Sequence, residues 1–234
     1  MKKYLMVFGL TAVLITLSHA AWAGSAITGS AFFTGKAPVK KAINMAADPT
    51  CAALHATPAY TEEAIVNGNN TLKNVFVYVK SGLEGKTFPK PAEAAKIDQN
   101  GCHYVPHVFG IMAGQPLEIL NSDSTLHNIH SMAKASRQFN VGMPIKGMKV
   151  KKTFEKPEVM VKMKCDVHPW MNAYIGVMEH PFFAVTDETG KFAIKDLPSG
   201  KYTLAAWHET FGTKTQNITV EDGKPAKANF SFSS

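Results

Sequence analysis

The chain has 234 residues, of which 45% are hydrophobic and 18% charged, so it is long enough for one large or two small globular domains and is not a disordered chain. Its net charge is +7, but Arg137 is the sole arginine among 25 basic residues. Because the lysines are scattered and arginine forks for base or phosphate contacts are missing, the charge does not indicate nucleic-acid binding.

The first 23 residues have the pattern of a secretory signal peptide. Lys2 and Lys3 precede an apolar run over residues 4–17, and Ala21-Trp22-Ala23 has the small-x-small pattern of a signal-peptidase site. An uncleaved membrane anchor is the alternative, but the run is short for a span of about 20 residues. We expect cleavage after Ala23 and a periplasmic mature chain, whose net charge is +5 after the loss of two lysines from +7.

The mature sequence predicts a nearly all-β structure. Short stretches rich in Val, Ile, Phe, Tyr and Thr are separated by Gly, Pro, Asn and Asp. The predicted strands cover residues 26–33, 75–80, 116–120, 127–132, 149–154, 159–165, 173–178, 183–186, 191–194, 202–207, 216–220 and 228–232. Residues 92–97 form the one helix-like patch. Regularly spaced strands and turns favour sandwiches or barrels over alternating strands and helices.

Turn signals divide the mature chain into three regions. Residues 24–70 form a β-rich lead-in that ends in the turn 67–70, and residues 71–180 carry the metal motif described below. Residues 181–234 form a compact tail of four or five strands, with further turn signals at 187–190 and 197–200.

One short loop combines three side chains that bind soft metals. Alternation along the predicted strand 159–165 places Val159, Met163 and Cys165 on one face, so the thiol points inward where the strand ends. His168 follows three residues later and Met171 three residues after that. Two histidines and a thiolate with a weak axial methionine form a trigonal site that selects copper for electron transfer. A second histidine must therefore come from elsewhere, and the segment around His127 offers one.

The three cysteines of the mature chain fit this interpretation. In an oxidising compartment two cysteines are expected to pair, and the third needs another role. We expect a disulfide bond between Cys51 and Cys102 that ties the lead-in to the metal region, which leaves Cys165 as a ligand. A buried free cysteine is the alternative, but a free thiol is reactive in such a compartment.

The loop Cys165-x-x-His168-x-x-Met171 resembles the ligand loop of the blue copper proteins, the cupredoxins, and is most similar to that of amicyanin. The segment beginning at His127-Asn128 resembles the His-Asn-Val segment that supplies the first ligand in amicyanin and plastocyanin. The resemblance covers about residues 100–180 and implies a Greek-key β-sandwich with one type 1 copper. It implies that His127, Cys165 and His168 are equatorial ligands and that Met171 is the axial ligand.

The same resemblance assigns roles to neighbouring residues. Asn128 is expected to brace the cysteine-bearing loop. His130 is the rival first ligand, but its position does not match the family motif, and its parity along the strand is opposite to that of His127. The imidazole edge of His168 is the expected electron port, and Pro169 and Trp170 are expected to form an apolar docking rim beside it, with core packing as the alternative for Trp170.

The remainder of the chain resembles a second family. Residues 26–31, together with Gly190-Lys191-Phe192 and the run 197–202, resemble the carboxypeptidase regulatory-like (transthyretin-like) domains. This implies a small β-sandwich used for support or binding. Proteins that combine the two modules are described as methylamine-utilisation-like.

The leading hypothesis is a periplasmic type 1 copper protein that carries single electrons between redox partners. A c-type cytochrome or a periplasmic dehydrogenase would suit as partner, and a membrane would be reached only through a complex. An enzyme is not expected, because a catalytic copper would need a further open metal site. The alternatives are a copper-trafficking protein without redox turnover and an interaction module with a vestigial site. For His103, His107 and His208, ordinary packing or hydrogen bonding is favoured over a second metal site.

Overall fold

The computed structural model describes residues 25–234, and the predicted signal peptide lies outside them. The described residues confirm the all-β prediction, with one short helix, α1 (Pro49–Ala53). The strands, in chain order, are β1 (Ser25–Thr34), β2 (Phe76–Ser81), β3 (Ala95–Gln99), β4 (Tyr104–Val105), β5 (Val108–Met112), β6 (Pro116–Asn121), β7 (His127–Ser131), β8 (Asn140–Met143), β9 (Lys149–Thr153), β10 (Glu158–Lys164), β11 (Asn172–Met178), β12 (Phe183–Val185), β13 (Lys191–Leu197), β14 (Gly200–His208), β15 (Gly212–Val220), β16 (Ala226–Lys227) and β17 (Phe230–Ser233). Within residues 25–234, no helix has the length and hydropathy needed to cross a bilayer.

The helix-like interpretation of residues 92–97 is wrong. Residues 95–99 form β3, which pairs in parallel with β6. Ile97 and Gln99 are buried while Lys96 is exposed, which is the period of a strand. A short run of good helix formers has a weak preference, and pairing with a neighbouring strand overrides it. The one helix starts instead at Asp48, whose carboxylate accepts hydrogen bonds from the backbone N–H groups of Thr50 and Cys51.

Two sheets enclose a first hydrophobic core. One sheet has the order β13-β1-β16, with β17 also paired to β1, and the other has the order β12-β2-β14-β15. Their inward side chains include Ile27, Val77, Phe192, Leu204 and Phe232, all of them buried. We call this unit the support sandwich.

Two further sheets enclose a second core. Their orders are β5-β11-β10-β7-β8 and β4-β3-β6-β9. Ile97, Ile119, Ile129, Val161 and Ile175 are fully or almost fully buried between them. We call this unit the metal sandwich, because the strands that flank Cys165 belong to it. The metal sandwich packs against the support sandwich at Phe76 of β2, whose ring lies over the main chain of Gly176. A Cβ atom on residue 176 would come within 2.3 Å of this ring.

Strand pairing joins parts of the chain that are far apart in sequence. β1 comes from the predicted lead-in, but it pairs with β13, β16 and β17 of the tail. β2 lies in the predicted region 71–180, but it pairs with β12 and β14. The strands of the metal sandwich, β3 to β11, are therefore inserted between two strands of the support sandwich. The division into a lead-in of residues 24–70, a copper domain of 71–180 and a tail domain of 181–234 stays a prediction.

The segment between β1 and β2 packs on the metal sandwich. We call its residues 43–59 the cap. The two ends of the cap are joined by a hydrogen bond of 2.8 Å from the N–H of Ile43 to the Ala59 carbonyl. Met45 and Cys51 of the cap are buried in the second core. The cap includes α1 and covers one end of the metal sandwich.

Candidate metal centre

The cysteine-bearing loop is a tight connection between β10 and β11. The backbone N–H of Cys165 donates to the Met171 carbonyl at 3.1 Å, and the N–H of Met171 donates to the His168 carbonyl at 3.0 Å. Met163 points into the core as predicted, but Val159 is 41% exposed because the pairing of β10 with β11 is irregular between Glu158 and Val161. The predicted alternation of inward and outward side chains therefore holds only in the second half of β10.

The structure brings His127, Cys165 and His168 together. His127 begins β7, which pairs with β10, so its ring reaches the loop from the neighbouring strand. The two Nδ1 atoms are 3.0 Å apart, and Cys165 Sγ lies 3.9 Å from His168 Nδ1. One donor atom from each residue lies within 4.8 Å of the other two. These three residues and Met171, which belongs to the same loop, are each at most 3% exposed.

Asn128 braces the loop with its side-chain amide. Its Oδ1 accepts the N–H of Asp166 at 2.6 Å and lies 3.3 Å from the thiol of Cys165. Its Nδ2 donates to Asn140 Oδ1 at 2.6 Å. The amide therefore fixes the cysteine at the end of β10 by contacts on both of its sides.

Each histidine binds a carboxylate through its other ring nitrogen. His127 Nε2 lies 2.8 Å from Asp123 Oδ2, and His168 Nε2 lies 2.9 Å from Asp48 Oδ2. Such partners hold an imidazole in one orientation and one tautomer, with the Nδ1 of each ring free to face the thiol. Sequence reasoning missed both carboxylates. Asp48 had a signal only as a helix cap, since it directly precedes Pro49.

The acidic and basic groups of the cluster stabilise one another's charged forms. Burial lowers the pKa of His127, but hydrogen bonding to Asp123 and to Cys165 outweighs it and raises this pKa to about 9. Burial raises the pKa of the Cys165 thiol, but His127 and the backbone N–H groups around the sulfur lower it overall. The hydrogen bond from His168 lowers the pKa of Asp48 to about 2. The environment therefore favours a thiolate, the form of cysteine that binds metals.

The imidazole edge of His168, the expected electron port, is covered in the structure. His168 is 2% exposed, because the cap lies over its edge and Asp48 occupies its Nε2. Trp170 packs against the imidazole, with ring centroids 5.0 Å apart, and donates its indole N–H to the Cys102 carbonyl at 3.1 Å. Of the predicted docking rim, Pro169 is exposed and Trp170 is half-buried. The apolar surface near the loop also includes Leu126 and Val167, both close to half exposed.

Cys51 and Cys102 are joined by a disulfide bond, with Cα atoms 5.7 Å apart. The bond fastens the cap to the loop before β4. Cys165 is the free cysteine among the described residues, and it is buried.

The other histidines that the sequence analysis considered lie outside the cluster. The rival ligand His130 is on the opposite side of β7, where its Nδ1 lies 3.0 Å from Asp166 Oδ2. The ring of His103 contacts the Gly101 carbonyl. His107 Nε2 makes a short contact with Glu209, which joins the metal sandwich to the support sandwich. His208 is buried, and burial lowers its pKa to about 4.

The donor set fits copper. Thiolate and thioether ligands select soft metals, imidazole suits copper, and hard oxygen-binding metals would find no first-choice ligand among His127, Cys165, His168 and Met171. The carboxylates of Asp48 and Asp123 are already engaged by ring nitrogens and do not point to the thiol. The side-chain chemistry of the four residues therefore suits a soft metal such as copper.

The carboxypeptidase regulatory-like domain model matches residues 168–233, less than half of the chain. Among solved structures, the chain is similar to a copper-containing nitrite reductase of Thermus scotoductus (23% identity, 41% of this chain and 24% of that chain, TM-score 0.35). It is also similar to a purple cupredoxin of Nitrosopumilus maritimus (26% identity, 36% and 98%, TM-score 0.31) and to a Cu(I) amicyanin variant (20% identity, 36% and 81%, TM-score 0.32). This chain thus spans about a quarter of the reductase. No curated protein sequence matches it significantly.

Proposed function

We propose that the chain is a periplasmic one-electron carrier with a single type 1 copper held by His127, Cys165, His168 and Met171. The observation that carries the proposal is the convergence of two Nδ1 atoms and one thiol in a buried pocket. Copper bound there would supply single-electron transfer between Cu(II) and Cu(I). The chain itself would act as a carrier and not as an enzyme.

The protein's contribution to such a function is rigidity. The thiol is fixed by Asn128, and the two rings are fixed by Asp123 and Asp48, so the ligands are held in place independently of the metal. A ligand set that keeps its geometry in both oxidation states transfers electrons with little rearrangement. Burial also excludes water, which would otherwise add a ligand to the oxidised metal.

The covered edge of His168 favours a second candidate function. An electron carrier needs a short path from the metal to its partner, and here the cap blocks the path that the sequence predicts. A copper-trafficking protein instead needs a closed pocket that opens to a partner.

For an electron carrier, the route from the metal to the surface would run through Trp170, which contacts His168 and reaches the surface beside Pro169. A redox protein would then dock at this rim.

Visible absorption tests the proposal. The mature chain, residues 24–234, is loaded with Cu(II) and compared with Cys165→Ser and with His130→Gln, which changes a histidine outside the cluster. We expect an intense thiolate-to-copper band in the wild type and in His130→Gln, lost in Cys165→Ser. The carrier must also pass through repeated reduction and oxidation without losing copper to a chelator.

Two outcomes contradict the carrier. A protein that binds Cu(I) tightly but remains colourless with Cu(II) is a trafficking protein. A folded protein that binds neither ion has no copper function.

A further inference from the structure

The disulfide bond lies on the far side of the two histidines from Cys165. Cys51 Sγ is 3.6 Å from His168 Nε2. Donor atoms of Asp48, Cys51 and His168 all lie within 4.8 Å of one another, and so do those of Cys102, Asp123 and His127. His168 therefore has Cys165 near its Nδ1 and Cys51 near its Nε2.

We propose that reduction of the Cys51–Cys102 bond creates a second metal site, a Cu(I) site. Its ligands are the two new thiolates, and it lies behind the first cluster, beside the Nε2 edge of His168. The site shares no ligand with the proposed type 1 centre and does not require copper to be bound there.

The chemistry of these side chains selects a soft monovalent ion. Two thiolates are the preferred ligands of Cu(I), and a thiolate pair in a buried pocket disfavours oxygen-seeking metals. Both cysteines are fully buried, and their Cα atoms are 5.7 Å apart in the disulfide-bonded protein. Backbone N–H groups of Gly101 and Cys102 are bound by Asp123 at 2.8 Å each, so the loop that carries Cys102 stays in place when the bond opens.

The reaction balances with a dithiol reductant. The reductant gives two electrons and two protons, is itself oxidised to a disulfide, and leaves two thiols on the protein. Binding of one Cu(I) ion to both sulfurs then releases two protons.

Cu(I) stoichiometry tests the proposal. The protein is reduced with a phosphine, freed of it by anaerobic desalting, titrated with Cu(I) against a chromophoric Cu(I) chelator and weighed by native mass spectrometry. We expect one copper in the oxidised wild type and two in the reduced wild type. We expect one in reduced Cys165→Ser and one in the double variant Cys51→Ser/Cys102→Ser. Equal copper content in oxidised and reduced wild type overturns the proposal.

The number of sulfur ligands gives a second, independent measurement. X-ray absorption at copper in reduced Cys165→Ser should require two sulfur neighbours, and a fit with none or one overturns the proposal. Far-UV circular dichroism accompanies each sample, and extra copper taken up only with loss of the β-sheet signal counts against a built site. If oxidised wild type binds no copper while reduced Cys165→Ser binds one, the type 1 centre fails and the second site stands.

Discussion

Asp48 performs two tasks that can be separated by substitution. Its Oδ1 accepts the N–H groups of Thr50 and Cys51 at 2.8 and 3.2 Å, and its Oδ2 accepts from His168 Nε2 at 2.9 Å. Asparagine caps helices as well as aspartate does, so Asp48→Asn should keep the cap and lose only the contacts of Oδ2 with His168 and Thr125. It removes the carboxylate behind His168, and loss of such a partner weakens metal binding by about 10- to 100-fold, or about 1.4 to 2.7 kcal/mol.

Asp48→Ala removes the cap as well. We expect it to lose about 1 kcal/mol of stability through the cap and to bind copper at least as weakly as the asparagine variant. Competition with a chelator measures copper affinity, and urea unfolding of the copper-free protein measures stability. Asp187→Asn is the matched control, because Asp187 binds N–H groups only within its own turn in the support sandwich.

The reasoning is refuted if Asp48→Asn binds copper as tightly as the wild type while Asp48→Ala loses stability. Asp48 would then be a helix cap whose contact with His168 has no influence on the metal.

Three further predictions concern stability. Burial lowers the pKa of His107, but the contact with Glu209 outweighs burial and raises this pKa above its usual 6.5. The ion pair therefore stabilises the fold fully below pH 6.5, and this stabilisation is lost as the pH rises through the raised pKa. The stability difference between wild type and His107→Gln, measured by urea unfolding, should therefore shrink at alkaline pH, and a constant difference would contradict the ion pair. Gly29→Ala should destabilise by about 3 kcal/mol or more, because its Cβ would lie 1.6 Å from the Ala228 carbonyl oxygen, whereas Gly142→Ala, with no atom within 4 Å, should be nearly neutral by thermal unfolding. Reduction of the disulfide bond, whose cysteines are 51 residues apart, should cost about 4 kcal/mol in chain entropy, and an unchanged urea midpoint would contradict this.

Local patterns were enough to predict the cysteine-bearing loop. The alternation before Cys165 and the two equal steps to His168 and Met171 depend only on neighbouring residues, and the structure places the thiol inward as that pattern requires. Most strands of the support sandwich follow for the same reason, as the buried Phe192 and Ile194 of β13 illustrate.

The surroundings of the loop depend on residues far away in sequence. Asp48 is 120 residues from His168, and neither its position nor the fold of the cap leaves a pattern near the motif. The coverage of His168 by the cap could not be predicted for this reason. The pairing of β1 with β13 and β17 could not be predicted for the same reason. The alternation of buried and exposed residues identifies each strand, but no local pattern specifies which strand it pairs with.

That long-range pairing fixes the order in which the chain can fold as it is synthesised. Ser30 of β1 donates to Asn229, 199 residues later, so β1 leaves the ribosome before every strand with which it pairs. The metal sandwich can close once β11 has been made, but the edges of β1 stay unpaired until β13, β16 and β17 follow. A chain that ended before β13 would therefore leave both edges of β1 unpaired, and such an edge is a template for aggregation.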